Sequence, residues 1–155
     1  MVEHRGMFPS PAQRQCTSDL KRAPIQKWIR NNVSNPLIIN CMGLRAEESP
    51  SRAKKTALAL DSMMTNGKRE VWTYLPIHHW TETEVRAYLA ERDLPLHPVY
   101  QYLNRFSCQV CIYMTRRDLL AVKENNPSAF QKIAALERKI GFTMQPGGSI
   151  IEKTA

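Results

Sequence analysis

A short apolar run, Leu37-Ile38-Ile39, gives way after Cys41 to Gly43-Leu44-Arg45-Ala46-Glu47-Glu48-Ser49-Pro50-Ser51-Arg52. The run has the length and branching of a buried strand, and two arginines, two carboxylates and a hydroxyl follow it, which is the chemistry of a phosphate or sulfate loop. In an open α/β sheet, ligands collect at the loops leaving the carboxyl ends of strands. Gly43 lets backbone approach a ligand with no Cβ in the way. Ser49 before Pro50 has the pattern of an N-cap and a first helical position. That puts Arg52 in the first turn of a helix, near N–H groups that favour an anion. Arg45 and Arg52 would then converge on one oxyanion. The competing reading is that Arg45, Glu47, Glu48 and Arg52 form a solvated surface network.

The rest of the chain is consistent with an α/β protein rich in helix toward its carboxyl end. Residues 1–15, with two prolines and a glycine, read as an irregular lead-in. A helix is expected over about Ser18–Asn31, with Leu20, Ile25, Trp28 and Ile29 as its buried stripe. After the oxyanion loop a helical stretch is expected through Ala53 to about Leu60, followed by a Thr65-Asn66-Gly67 turn. Glu70-Val71-Trp72-Thr73-Tyr74-Leu75 alternates as a second strand. Thr81 with Glu84 forms a capping-box pattern that opens a helix to about Arg92. Leu94–Ser107, which holds two prolines, His97, Tyr100 and Arg105, reads as an ordered loop. Thr115 caps a helix to about Asn125, Asn126-Pro127 starts another that stops at Gly141, and residues 142–155 read as a strand-like or flexible tail.

With 155 residues, 43% of them hydrophobic, the chain can bury one modest core, so a single domain over 1–155 is expected. No apolar run reaches the length of a membrane span, and Met-Val-Glu-His-Arg lacks the apolar core of a secretory signal. The expectation is a cytoplasmic protein without a membrane partner. A net charge of +8 raises the prospect of a nucleic-acid or polyphosphate partner. The basic residues are spread along the chain without interleaved aromatics, so a solvated surface that attracts a small anionic nucleotide accounts for them equally well.

Cys108-Gln109-Val110-Cys111 is a Cys-x-x-Cys pair, whose two-residue gap lets both thiolates face one ion. Reduced buried thiols are the alternative, cysteine being among the most buried residue types.

Four of the loop residues, Gly43, Arg45, Ser49 and Arg52, match position by position a pattern of Gly-x-Arg-x-x-x-Ser-x-x-Arg. In that pattern the segment resembles the second substrate loop of the phosphoadenosine phosphosulfate (PAPS) reductase family, within the ATP-pyrophosphatase (PP-loop) superfamily. Other segments occur in the order the family shows. Arg14-Gln15-Cys16 with Lys21 and Pro24 comes first, then Pro76-Ile77-His78-His79-Trp80-Thr81, then His97-Pro98-Val99-Tyr100, then Arg105 and Ser107-Cys108-Gln109-Val110-Cys111. The resemblance runs from Arg14 to about Gly148.

This resemblance implies a partial Rossmann-like domain of the adenine nucleotide alpha hydrolase-like kind, with about two strands and four or five helices. It implies an adenine nucleotide or sulfonucleotide as ligand, with Gly43, Arg45, Ser49, Arg52 and Arg105 on its phosphate or sulfate. Glu47 and Glu48 would orient the arginines or a magnesium ion. It also links Cys16 to Cys108 and Cys111 as ligands of a metal, either an iron-sulfur cluster with Cys41 as the remaining cysteine, or zinc held by the same four or by three with His97. The family's Ser-Gly-Gly-Lys-Asp-Ser type phosphate loop has no counterpart in Met1–Cys16, so the chain resembles the carboxyl-terminal half of such a domain, and a separate chain is expected to supply the other half. The reductases' Glu-Cys-Gly-Leu-His type tail has no counterpart in Gly147–Ala155. Three readings follow from the resemblance: a sulfonucleotide protein in sulfur activation or transfer, a nucleic-acid sulfurtransferase of the DNA phosphorothioation or RNA thiolation type, and a non-catalytic, metal-stabilised binding module.

Overall fold

A computed structural model describes residues 1–106 and 108–155, so Ser107 of the loop and motif above lies outside the described residues. Eight α-helices and three strands are described: α1 (Val2–Arg5), α2 (Gln15–Thr17), α3 (Ala23–Asn32), β1 (Leu37–Cys41), α4 (Pro50–Ala53), β2 (Leu58–Leu60), β3 (Glu70–Tyr74), α5 (Glu82–Ala90), α6 (Arg116–Asn125), α7 (Pro127–Ile140) and α8 (Ile150–Lys153). A π-helical stretch, Ser18–Arg22, joins α2 to α3, and 3₁₀ turns occupy Ala46–Glu48 and Pro98–Gln101. The chain divides into two compact units, residues 25–96 and residues 1–24 with 97–155.

Residues 25–96 contain the sheet, in the order β1-β3-β2. β1 and β3 run parallel, with Ile38 opposite Val71 and Cys41 opposite Tyr74. β2 lies antiparallel to the other edge of β3, Leu58 opposite Tyr74 and Leu60 opposite Trp72. Side chains alternate between the two faces of a strand, and here only one face is packed. Ile38 and Val71 are buried there against Ile29 and Met64, with Val33 beside them.

Two expectations about helices fail. Leu58-Ala59-Leu60 is a strand, not the end of a helix: α4 stops after one turn, and the following residues pair with the open backbone edge of β3. Tertiary pairing overrides a local pattern that three residues cannot settle. Of the proposed apolar stripe, Ile29 alone is buried; Leu20, Ile25 and Trp28 are 60%, 54% and 62% exposed. The π-helical turn also shifts the angular phase of Leu20 relative to the residues of α3.

The other unit is helical. Its core gathers Leu119 and Val122 of α6, Phe130 and Ala134 of α7, Ile150 of α8, and Phe8, Val99, Leu103, Met114 and Met144. The predicted caps form: Thr115 and Asp118 close a capping box on α6, the Asn126 side chain caps α7 ahead of Pro127, and Gly141 ends α7 in the left-handed region at φ 65°. The lead-in and the tail are more fixed than expected. Phe8 is core, and Ser149 with Glu152 forms a capping box on α8. The buried Glu137 joins α7 to the tail: its Oε1 accepts the Met144 N–H at 2.7 Å and its Oε2 the Ile150 N–H at 3.0 Å. Without that side chain both amides would be buried and unpaired.

Glu137→Ala should therefore lower unfolding free energy by about 3 kcal/mol in urea titrations, with Glu137→Gln, which keeps one acceptor, losing less. Acid should also loosen α5 and α8. The Glu84 carboxyl is held below its ordinary 4.5 by the Thr81 N–H and then the Thr81 hydroxyl, and Glu152 likewise by Ser149. A lowered folded-state value contributes stability that is complete above 4.5 and is lost as pH falls through the depressed value. NMR titration of the Thr81 and Ser149 amides should show their shifts constant above that point and moving below it.

Candidate functional site

The parallel ladder continues one residue past β1, where the Met42 N–H donates to the Tyr74 carbonyl at 2.9 Å. The loop after β1 and the loop after β3 therefore leave the sheet side by side. The Ala46 N–H donates to the His78 carbonyl at 2.8 Å. His78 Nε2 lies 3.0 Å from the Arg52 carbonyl oxygen. A carbonyl can only accept, so Nε2 carries the proton and donates. His78 is 3% exposed, and its Nδ1 is buried with no hydrogen-bond partner among the described residues. It fastens both ends of the segment from Ala46 to Arg52. Sequence reasoning assigns no role to His78 or to the adjacent His79, because histidines at a strand-to-helix junction give no sign of which backbone they will meet.

Within the fastened segment the charged groups are already paired. Arg45, its side chain 13% exposed, donates through Nη1 to Glu47 Oε2 at 2.5 Å, and its Nε lies 3.8 Å from Glu48 Oε1. Arg52 forms an ion pair with Glu48 through Oε2. Glu48 thus bridges the two arginines. Glu47 Oε2 also accepts the Glu82 N–H at 2.7 Å, which ties the loop to the first turn of α5. The structure therefore gathers Arg45, Glu47, Glu48, Ser49 and Arg52 in one place, as the sequence pattern suggests, with the arginines facing carboxylates.

Ser49 is the N-cap of α4, its hydroxyl accepting the Arg52 N–H at 3.3 Å and lying 3.2 Å from the Ser51 hydroxyl. The single turn of α4 has little to offer an anion through its backbone: Pro50 has no N–H, and that of Arg52 is engaged by Ser49. An anion at this loop would meet side chains more than backbone donors. At Gly43 an added Cβ would stand 3.7 Å from Ile77 Cδ1, an ordinary contact. Nothing in the protein itself demands glycine there.

The remaining candidates lie elsewhere in the chain. Arg105 is an exposed residue of the helical unit. Cys16, Cys108 and Cys111 are half-buried in that unit and Cys41 is exposed at the end of β1; none is in a disulfide. Among the described residues no three His, Cys, Asp or Glu side chains are gathered as a metal ion requires. His97 has a structural occupation: its Nδ1 accepts the Val99 N–H at 3.2 Å and its ring stacks on Phe106 at 5.0 Å. Among the described residues, no helix is long and apolar enough to cross a membrane.

Two substitutions test this geometry without any ligand. His78→Ala removes the bond to the Arg52 carbonyl and should cost about 2 kcal/mol of stability, with trypsin cleaving after Arg52 faster than in the parent protein. Gly43→Ala, at a position that accepts a Cβ, should leave stability unchanged or raise it by about 0.5 kcal/mol in thermal unfolding.

Residues 3–113 match the family described as phosphoadenosine phosphosulfate reductase domain. Over 152 residues the chain is 28% identical to an uncharacterised 37.8 kDa protein in the gpa 5′ region of Escherichia phage 186, covering 94% of this chain and 43% of that protein. Over 59 residues it is 42% identical to a phosphoadenosine 5′-phosphosulfate reductase of Vibrio cholerae, covering 38% of this chain and 21% of the reductase. A reductase of the same name from Gloeobacter violaceus is 32% identical over 78 residues, or 50% of this chain and 25% of that protein. The chain thus spans less than half the length of each of these relatives. With more than half of its residues inside the family match, the chain belongs to the phosphoadenosine phosphosulfate reductase domain family, whose fold is adenine nucleotide alpha hydrolase-like.

Proposed function

We propose that this protein binds a sulfonucleotide, an adenosine phosphosulfate, through the loop from Gly43 to Arg52, and takes part in sulfur activation or transfer. The observation that carries this reading is Glu48 holding Arg45 and Arg52 together on one carboxylate at the exit of β1. Two guanidinium groups positioned by a shared oxyanion are preset for another, and a phosphate or sulfate oxygen competes for the same donors. Ser49 supplies a hydroxyl beside them. Glu47 steadies Arg45 from the α5 side, a role that needs no magnesium. Gly43 lets the ligand's oxyanion sit against backbone. Arg105 is a further cation by sequence pattern. The matched reductases lend the ligand class, since their printed name is that of a phosphoadenosine 5′-phosphosulfate reductase.

The net charge of +8 favours a second reading, a nucleic-acid sulfurtransferase component or a non-catalytic nucleic-acid module. Ionic strength separates the two ligand classes. Contacts to several phosphates of a polymer give a steep salt dependence, whereas one small anion gives a shallow one.

Calorimetry with adenosine 5′-phosphosulfate should show Arg45→Ala and Arg52→Ala each weakening binding about 30-fold, the loss of one charge-assisted contact worth about 2 kcal/mol. Glu48→Gln should tighten binding, because it removes the carboxylate with which the ligand must exchange. Gly43→Ala, harmless to stability, should weaken it. Unchanged affinity in both arginine variants, or affinity for DNA or RNA alone, would overturn the sulfonucleotide reading.

A further inference from the structure

The family match ends at residue 113, and the helix that follows carries two charges that the fold does not use. An open cleft of about 430 Å³ lies along α6, within the size range of small-molecule sites. Its apolar lining is Leu120 and Ala121 of α6 with Tyr102, all half-buried, the last two packed on the helical core. Arg116 and Arg117 stand at one end and Glu124 and Asn125 at the other. Residues 117 and 124 are two turns apart, so their side chains leave the same face of α6 about 10 Å from each other along its axis.

Arg117 and Glu124 are exposed, and among the described residues the side chain of neither has an ion-pair or hydrogen-bond partner. The other charged groups of α6 have structural tasks. Arg116 donates through Nε to the Lys153 carbonyl at 2.8 Å and through Nη2 to that of Ala155 at 2.9 Å. Asp118 closes the box with Thr115, and Lys123 donates to the Thr154 carbonyl at 3.0 Å. Asp118 and Lys123 also sit at the ends of α6 where the helix dipole favours them, whereas Arg117 in the first turn and Glu124 in the last sit where it opposes them. Helix stability therefore does not account for the pair, and the dipole reinforces the unpaired charge at each end of the cleft.

We propose that this cleft binds a free peptide of about three residues as a zwitterion, with its carboxylate on Arg117 and its ammonium on Glu124. An extended chain advances about 3.3 Å per residue, so three residues span the two charges. The guanidinium fork matches a carboxylate. Asn125 Nδ2 donates to the Ala121 carbonyl at 2.9 Å, which leaves its Oδ1 as a second acceptor for the ammonium beside Glu124. Apolar side chains of the peptide would lie on Leu120, Ala121 and Tyr102. Glu124 disfavours a polyanion, and a simple anion would leave both Glu124 and the apolar lining without a role. A chain that binds no sulfonucleotide would still present this cleft.

The test follows the α6 amides by two-dimensional NMR while the tripeptide Ala-Leu-Ala is added. Because the cleft is open, a dissociation constant on the order of 1 mM is expected. Acetylating the peptide's amine or amidating its carboxylate should each weaken binding at least about fivefold. Arg117→Gln should weaken the free peptide and abolish its advantage over the amidated one, and Glu124→Gln should do the same against the acetylated one. Neither variant should lower Tm, since each removes a charge that the helix dipole opposes. No shift in α6 at peptide concentrations on the order of 10 mM, or the same shifts with acetate alone, would overturn the proposal. So would binding of the doubly blocked peptide as tight as that of the free one, which would give the cleft to an internal stretch of polypeptide.

Discussion

Parallel pairing of β1 with β3 is the interaction on which the candidate site depends. It aligns Cys41 with Tyr74, so the two strands end level and their loops emerge as neighbours. The ladder's extra bond from Met42 to Tyr74 carries this alignment into the loop, and the bond from Ala46 to His78 carries it further. His78 then reaches the far end of the segment at Arg52. None of these contacts is specific to arginine or glutamate. They are backbone and imidazole bonds that shape the loop, and the charged side chains are presented by that shape. A substitution at the sheet, far in sequence from Arg45, would therefore disturb the arginines by changing where the two loops leave.

What could be read from the sequence was what local chemistry decides. Ser49 with Pro50, Thr81 with Glu84, Thr115, Asn126 with Pro127, and Gly141 each act within four residues, and each cap or stop falls where its pattern puts it. The cluster of Arg45, Glu47, Glu48, Ser49 and Arg52 was legible for the same reason, since all five lie on one short segment. Contacts that join distant segments were not. β2 exists because β3 has an edge to offer, Glu137 is buried because Met144 and Ile150 return to it, and His78 matters because of a loop 26 residues away. The apolar stripe proposed for the first helix failed differently. Ile25 and Trp28 are apolar at helical spacing, yet spacing shows only that a face is apolar, not that this chain supplies what covers it.

The electrostatics of the loop set a limit on how it can recognise an anion. Arg45 and Arg52 carry two positive charges, and Glu47 and Glu48 two negative ones, so the segment as a whole presents no net charge to an approaching sulfate. Long-range attraction must come from the remainder of a chain with net charge +8. At contact the ligand gains only the difference between its bonds to the arginines and those the arginines already make to the glutamates. That difference is small for a single oxygen and larger for a group with several, because each further oxygen brings another acceptor to the exchange. In the sulfonucleotide reading a tetrahedral phosphate or sulfate would exchange with the Glu48 carboxylate for the donors that the two arginines now give it. Glu48 would act on this account as a placeholder that holds the two cations close to each other until a phosphate or sulfate takes its position.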